Sequence, residues 1–151
     1  MSIQVDHITK LYGSQKALDD VSFSVGGSEV VGFLGPNGAG KSTMMKILTC
    51  YLPPTNGTAV VCGHDVGSAS LEVRRNVGYL PEHNPLYVDL YVREYLVFVA
   101  GIHGMARKEE RVKEMIDMVG LEHEQHKRIG QLSKDYKQRV GLAQAMIHDP
   151  K

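Results

Sequence analysis

The sequence predicts an α/β fold in which strands precede a glycine-rich loop and helices follow it. Two stretches near the start, Ile3 to Leu11 and Leu18 to Val25, alternate apolar and polar residues as half-buried strands do. A continuous apolar run, Glu29 to Leu34, leads into the loop, and from Lys41 onward apolar residues recur at helical spacing. These observations favour an N-terminal antiparallel β unit followed by a strand–loop–helix unit.

The remaining elements are predicted from the same periodicities. Glu29 to Leu34 is expected to form a strand that is buried on both faces of a parallel sheet. The helix that begins near Lys41 should end before Pro53 and Pro54, because proline lacks an amide hydrogen. Further strands are predicted at Gly57 to Cys62 and Val77 to Leu80, and helices at Val92 to Ile102, Lys108 to Val119 (with Gly120 as its C-cap) and about Ser133 to Ile147.

Composition narrows the class of protein. The 151 residues carry 17 Lys+Arg and 17 Asp+Glu, so the formal net charge is zero, which argues against a general nucleic-acid binder. Cys50 and Cys62 form no CxxC pair and are expected in a reducing compartment. No apolar run approaches the roughly 20 residues of a membrane-spanning helix. We therefore expect a soluble, cytoplasmic protein with no specific nucleic-acid partner.

One motif carries chemistry. Gly35 to Ser42 reads GPNGAGKS and matches G-x-x-x-x-G-K-[ST], the phosphate-binding P-loop. Its glycines allow the backbone amides to turn inward around an anion, and the following helix adds its positive end. The ammonium group of Lys41 is expected on the β- and γ-phosphates, and the hydroxyl of Ser42 on Mg²⁺. The nucleotide-binding residues predicted here are Gly35, Pro36, Asn37, Gly38, Ala39, Gly40, Lys41, Ser42 and Thr43.

The alternative is a chance glycine-rich turn. The apolar run before the loop and the amphipathic helix after it favour the P-loop, because the motif requires that context. The dinucleotide fingerprint GxGxxG does not fit, since Thr43 stands three residues after Gly40.

Gly32 to Val66 resembles the nucleotide-binding subunit of ABC transporters, and the likeness extends across essentially the whole chain. Val77 to Tyr87 and Leu132 to Met146 look most like the gliding-motility-associated ATP-binding subunits of bacteria. The resemblance implies a P-loop NTPase fold of the ABC ATPase type, with an N-terminal antiparallel β unit, a RecA-like core and a helical subdomain. Residues 1–82 would form the β unit and P-loop core, and about 83–148 the helical subdomain with the signature helix.

The resemblance also implies roles for residues outside the P-loop. Tyr12 matches the aromatic residue that stacks on adenine, and Glu82 stands where most members carry a glutamine that contacts Mg²⁺. A carboxylate is likewise a hard oxygen ligand for Mg²⁺. Leu86 to Tyr95 would face a transmembrane permease subunit, and Ser133 would grip the ATP held by a second nucleotide-binding subunit in an ATP-sandwich dimer. The alternatives are that Tyr12 is an ordinary strand tyrosine and Leu86 to Tyr95 a loop covering the core.

The signature motif L-S-G-G-Q-x-Q-R is matched only in part, by Leu132 to Arg139. Lys134, Asp135 and Tyr136 replace Gly-Gly-Gln. A carboxylate at position 135 would repel a triphosphate, whereas the same charge in the first turn of a helix is favourable. His123 and His126 have the spacing of metal ligands on one helix face but no evident third ligand, so we interpret them as part of a solvated connector.

The implied function is that of the ATP- and Mg²⁺-binding, energising subunit of an ABC transporter, peripheral on the cytoplasmic face of the membrane. In that family the strand that carries the Mg²⁺-holding aspartate and the catalytic glutamate would follow Lys151. The core is therefore predicted to be incomplete and truncated before that strand, with Val30 to Leu34 exposed and ATP bound without efficient turnover. The alternatives are a soluble ABC ATPase acting on ribosomes or DNA, and a non-hydrolysing nucleotide-binding fragment.

Overall fold

The structure, a computed structural model, describes residues 2–151. The chain divides into two compact units: the first ends at Val77 and also takes in Lys151, and the second is Gly78–Pro150. Each unit has a hydrophobic cluster of its own, the first around Ile8, Met44 and Ile47 and the second around Leu96, Met115 and Ile147.

A four-stranded antiparallel sheet forms the base of the first unit. Strands β1 (Ile3–Tyr12) and β2 (Gln15–Val25) make a hairpin, and β3 (Asn56–Val61) and β4 (His64–Asp65) extend the sheet in the order β2-β1-β3-β4. The predicted N-terminal antiparallel unit and the strand near residues 57–62 are thus confirmed. Helix α1 (Lys41–Leu48) follows the P-loop as predicted, and α2 (Ser70–Asn76) was not predicted.

The broken alternation of β1 has a structural cause. His7 and Thr9 depart from the apolar rhythm set by Ile3 and Val5, and the pairing of β1 with β2 shifts register between Val5 and Ile8. His7 has φ 50°, the left-handed region that an extra residue in a β-bulge adopts. The bulge turns the buried face so that Val5 and Ile8 both point into the cluster.

Two predicted strands are absent from the described part of the chain. Glu29 to Leu34 has no regular secondary structure and pairs with no strand among residues 2–151, and its side chains at Val30 and Leu34 are 104% and 92% exposed. The parallel sheet predicted for it is therefore wrong for these residues, because a strand is stable only when a neighbour satisfies its backbone groups. The predicted exposure of this segment is confirmed.

Val77 to Leu80 also forms no strand. Gly78 lies instead against the carbonyl oxygen of Ala145, at a position where a Cβ would overlap that oxygen. A close approach of this kind holds the segment by packing rather than by a ladder of hydrogen bonds.

The second unit is helical. Helices α3 (Val92–Ile102) and α4 (Lys108–Val119) have the predicted bounds, and α4 ends at Gly120 with φ 68°, as a C-cap glycine does. Helix α5 (Lys134–Met146) follows a short 3₁₀ turn, Ile129–Gln131. None of the helices formed by residues 2–151 has the length and apolar character needed to cross a bilayer.

Candidate functional site

The P-loop is shaped by a tight turn and two glycines. The amide of Ala39 donates to the carbonyl of Pro36 over 3.2 Å, and Gly38 and Gly40 have φ 82° and 84°. Residues with a Cβ rarely adopt this backbone region. Gly40 is restricted further, since a Cβ there would overlap the carbonyl oxygen of Ala17 on β2. The glycines that the motif prescribes are thus required by the backbone itself.

Helix α1 presents an uncapped N-terminus to this loop. Its N-cap is Gly40, which offers no side-chain cap, and the first turn contains no acidic residue. The amide of Met44 donates to the carbonyl of Gly40 over 2.9 Å, whereas the amides of Lys41, Ser42 and Thr43 have no acceptor among residues 2–151. Free amides together with the helix dipole form a site for an anion such as phosphate.

Lys41 lies across the loop. Its ammonium group donates to the carbonyls of Gly35 and Pro36 over 2.6 and 2.7 Å, which places a positive charge at the rim of the turn. Ser42, the next residue, is exposed, and its hydroxyl has no partner within the described chain. That oxygen is a hard ligand in the first helical turn, so it fits a Mg²⁺ ion bound beside phosphates.

Tyr12 lies at the end of β1, beside the loop. Its Cα partner on β2 is Gln15, and Ala17, which Gly40 contacts, lies two residues farther along β2. At about 3.4 Å per residue this separation is roughly 7 Å along the strand. Tyr12 is 48% exposed, so much of its ring remains accessible in the same unit as the P-loop.

Glu82 belongs to the second unit and lies on an exposed loop before α3. Its carboxylate makes no hydrogen bond or ion pair to any of residues 2–151. The neighbouring Asn84 packs closely on α5, because a Cβ at Gly141 would overlap its Nδ2 atom. Asn84 therefore anchors the loop and leaves the carboxylate of Glu82 in solvent.

Ser133 begins the helix that carries the partial signature motif. Its hydroxyl accepts a hydrogen bond from the amide of Tyr136 over 3.4 Å, as an N-cap side chain does. Asp135 lies in the first turn, where its charge favours the helix dipole. The guanidinium of Arg139 stacks over the Tyr136 ring at 5.4 Å and donates to the carbonyl of Val119 over 3.0 Å. The start of α5 is therefore capped and held to the end of α4, although its sequence departs from Gly-Gly-Gln.

The segment Leu86 to Tyr95 has both an inner and an outer face. Leu86 and Leu90 pack against the second hydrophobic cluster, which matches the interpretation as a covering loop. Tyr87, Val88 and Tyr91 are exposed, and Tyr87 contacts the ring of Phe98 at 5.9 Å. The segment thus covers the core and presents an aromatic surface.

Lys10 is a further residue beside Tyr12, and no motif in the sequence marks it. Its ammonium group lies over the ring of Tyr12, 5.6 Å from the centroid. The signal that was available is their spacing: residues i and i+2 of one strand share a face of the sheet.

The metal site considered at His123 and His126 gains no third ligand. No group of three or more His, Cys, Asp or Glu side chains in residues 2–151 is arranged to hold a metal ion.

Residues 18–151 match the family described as ABC transporter. The chain is 40% identical over 151 residues to the uncharacterized ABC transporter ATP-binding protein YxlF of Bacillus subtilis, covering 99% of this chain and 50% of that protein. It is 37% identical over 148 residues to the bacitracin transport ATP-binding protein BcrA of Bacillus licheniformis, covering 98% and 48%. The chain thus spans about half the length of the curated relatives it matches.

A solved structure shares the fold. The dimeric post-hydrolysis state of the ATP-binding cassette MJ0796, bound to ADP and Pi, superimposes with a TM-score of 0.85 at 26% identity. The match covers 98% of this chain and 70% of that one. The α/β fold predicted from the P-loop context is therefore that of an ATP-binding cassette.

Proposed function

This chain belongs to the ABC transporter family, and from that premise we propose that it is the ATP-binding part of an energising subunit, with the P-loop as its triphosphate site. The observation that carries the proposal is the uncapped N-terminus of α1, where the amides of Lys41, Ser42 and Thr43 are free and the ammonium group of Lys41 lies on the preceding loop. Backbone amides that donate to phosphate oxygens and one lysine that neutralises their charge are the groups with which a P-loop binds a triphosphate.

Each further site residue has a proposed part. Gly35, Pro36, Asn37, Gly38, Ala39 and Gly40 supply the backbone that surrounds the phosphates. Ser42 would ligate Mg²⁺, which neutralises phosphate charge when bound, and Tyr12 would stack on adenine. The exposed carboxylate of Glu82 is the second proposed Mg²⁺ contact, and its lack of a protein partner supports that part.

We propose two protein partners. The first is a second nucleotide-binding subunit, whose bound ATP would be gripped by Ser133 at the start of α5. The dimeric assembly of the related cassette MJ0796 supports this partner. The second is a transmembrane permease subunit that contacts Leu86 to Tyr95, and the exposed aromatic rings there support it. Such a partner would hold the chain on the cytoplasmic face of a membrane.

We further propose that these 151 residues bind ATP without efficient turnover. Hydrolysis needs a base that positions the attacking water, and three carboxylates of the first unit are engaged elsewhere. Asp19 accepts from Lys16 over 3.0 Å, Asp20 contacts His7 at 2.6 Å, and Glu29 accepts from the amide of Gly26 over 2.9 Å. None of the carboxylates described in that unit hydrogen-bonds the P-loop.

The exposure of Val30 and Leu34, together with the fraction of the relatives that is covered, supports a proposal that the chain is the N-terminal part of a longer ATPase. In that protein a strand outside these residues would pair with Glu29 to Leu34. The gliding-motility subgroup is also proposed, on the strength of residues 77–87 and 132–146 alone.

Removal of one charge tests the nucleotide site. We expect Lys41→Ala to weaken ATP binding by about 10- to 100-fold, since charge-assisted hydrogen bonds to phosphate are worth about 1.5–3 kcal/mol. Lys46→Ala is the matched control, because Lys46 is exposed in the last turn of the same helix. Titration with a fluorescent ATP analogue measures both. Equal affinity of Lys41→Ala and the unaltered chain would overturn the proposal.

The same proteins test turnover. Steady release of phosphate from ATP by the unaltered 151-residue chain, abolished by Lys41→Ala, would show that binding without turnover is wrong.

A further inference from the structure

Lys10 holds a fixed position over the ring of Tyr12. Its Nζ atom lies 5.6 Å from the ring centroid and donates to the carbonyl of Pro53 over 2.7 Å. A cation within about 6 Å of an aromatic face is attracted by the ring quadrupole. The two contacts together fix the ammonium group on one side of Tyr12.

The strand around Lys10 is fixed to the same segment. The amide of Leu11 donates to the hydroxyl of Thr55 over 3.0 Å, and the amide of Thr55 donates to the carbonyl of Thr9 over 2.8 Å. Pro53 to Thr55 follows α1, the helix that begins at the P-loop. Three hydrogen bonds therefore join the end of β1 to the segment that leads from α1 into β3.

We propose that Lys10 is a positioning residue for nucleotide recognition: it covers one face of Tyr12 and holds the opposite face ready for the base. No other ring or cation packs on Tyr12 within residues 2–151. A ring held in place before binding loses less conformational freedom when a base stacks on it. The inference rests on the proposed function, since Tyr12 must receive the base for Lys10 to matter.

Removal of the Lys10 charge tests whether this residue positions Tyr12. We expect Lys10→Met, which keeps the length of the stem, to weaken ATP binding about two- to fivefold, the range of a partly exposed cation–π contact. Lys10→Arg should restore the affinity, because guanidinium also stacks on tyrosine. Lys16→Met is the control on the same hairpin, where the lysine pairs with Asp19 over 3.0 Å.

Two readouts separate positioning from a general loss of structure. Inorganic tripolyphosphate carries no base, so its affinity for Lys10→Met should match that of the unaltered chain. In the Tyr12→Ala background, Lys10→Met should change ATP affinity no further, because the residue acts through the ring.

The outcomes are distinct. Three results would each overturn the inference and leave the Lys41-dependent site intact. The first is that Lys10→Met weakens the binding of ATP and of tripolyphosphate equally. The second is an additive loss of ATP affinity in the Tyr12→Ala background, and the third is an unchanged ATP affinity of Lys10→Met. Absence of any ATP or tripolyphosphate binding by the unaltered chain would overturn the proposed function itself.

Discussion

The hydroxyl of Ser133 already has a structural task before any nucleotide is considered. It accepts from the amide of Tyr136, and the backbone of Ser133 has the extended conformation of an N-cap residue, with φ −62° and ψ 164°. The carboxylate of Asp135 adds favourable charge in the first turn. Ser133 would therefore have two roles, capping α5 and contacting a partner's ATP. Only a substitution that keeps one role and removes the other can separate them.

Two substitutions make that separation. Ser133→Ala should lower the free energy of unfolding by about 1 kcal/mol, the usual value of a lost N-cap. Ser133→Asp should retain the stability, because aspartate also caps helices, and yet reduce ATP-dependent association, because its charge would repel a triphosphate. Denaturant unfolding and analytical ultracentrifugation with ATP measure the two effects. Unchanged association of Ser133→Asp would contradict the proposed contact in trans.

At the residue scale, the sequence predicts what depends on local physics. The need for glycine at position 40 could be read from the motif, and the structure adds φ 84° and the contact with Ala17 that exclude a Cβ there. The spacing of Lys10 and Tyr12 indicates a shared strand face, but the position of the ammonium group over the ring also depends on the carbonyl of Pro53, which is 43 residues away in the chain. A single sequence contains no sign of that carbonyl.

At the scale of elements, α4 and α5 are joined end to side. Gly120 closes α4, with the amide of Leu121 donating to the carbonyl of Ile116 over 2.9 Å. Arg139 of α5 donates to the carbonyl of Val119 over 3.0 Å, which satisfies one of the carbonyls left free at a helix C-terminus. The end of α4 thus depends on one glycine and one arginine.

Alanine substitutions at two glycines test whether the end of α4 depends on Gly120. Gly120→Ala should lower the free energy of unfolding by about 1–2 kcal/mol, because φ 68° is strained for any residue with a Cβ. Gly101→Ala in α3 is the matched control: nothing lies within 4 Å of a Cβ there, and alanine should stabilise the helix by about 0.5–1 kcal/mol. Urea unfolding monitored by circular dichroism measures both. Equal effects of the two changes would show that Gly120 is not conformationally required.

Elements differed in how well the sequence predicted them. The bounds of α3 and α4 were correct because apolar residues at helical spacing report on a single helix and its own buried face. The strand at Glu29 to Leu34 was wrong for the described residues because a strand depends on neighbours, which its own composition does not reveal. The antiparallel hairpin succeeded because both of its strands are adjacent in sequence.

At the scale of the whole molecule, the apolar run before the P-loop is the region most prone to self-association. Val30 and Leu34 are exposed. Between them, Val31 and Phe33 of the same run line an apolar cavity of about 430 Å³ together with Phe23. Unpaired backbone next to exposed apolar side chains favours association with other chains. We therefore expect this region to control self-association.

Charged substitutions test that expectation. The double change Val30→Lys and Leu34→Lys should reduce self-association and binding of a hydrophobic dye, with no loss of stability, because both side chains are already in solvent. Leu71→Lys, at an exposed leucine on α2, is the control and should leave association unchanged. Light scattering and dye fluorescence report the result. If the double variant still self-associates, Val30 and Leu34 do not control self-association.

The separate hydrophobic clusters of the two units bear on the order of events during synthesis. The first cluster draws only on residues before position 78, so it can close while the ribosome is still making Gly78–Pro150. Those residues take about 4–15 s to translate at roughly 5–20 residues per second, far longer than a hairpin or helix needs to form. Throughout that interval the P-loop can already be in place, and Val30 and Leu34 beside it are exposed, as they are in the structure. We therefore expect a nascent-chain chaperone to bind at Val30 to Leu34.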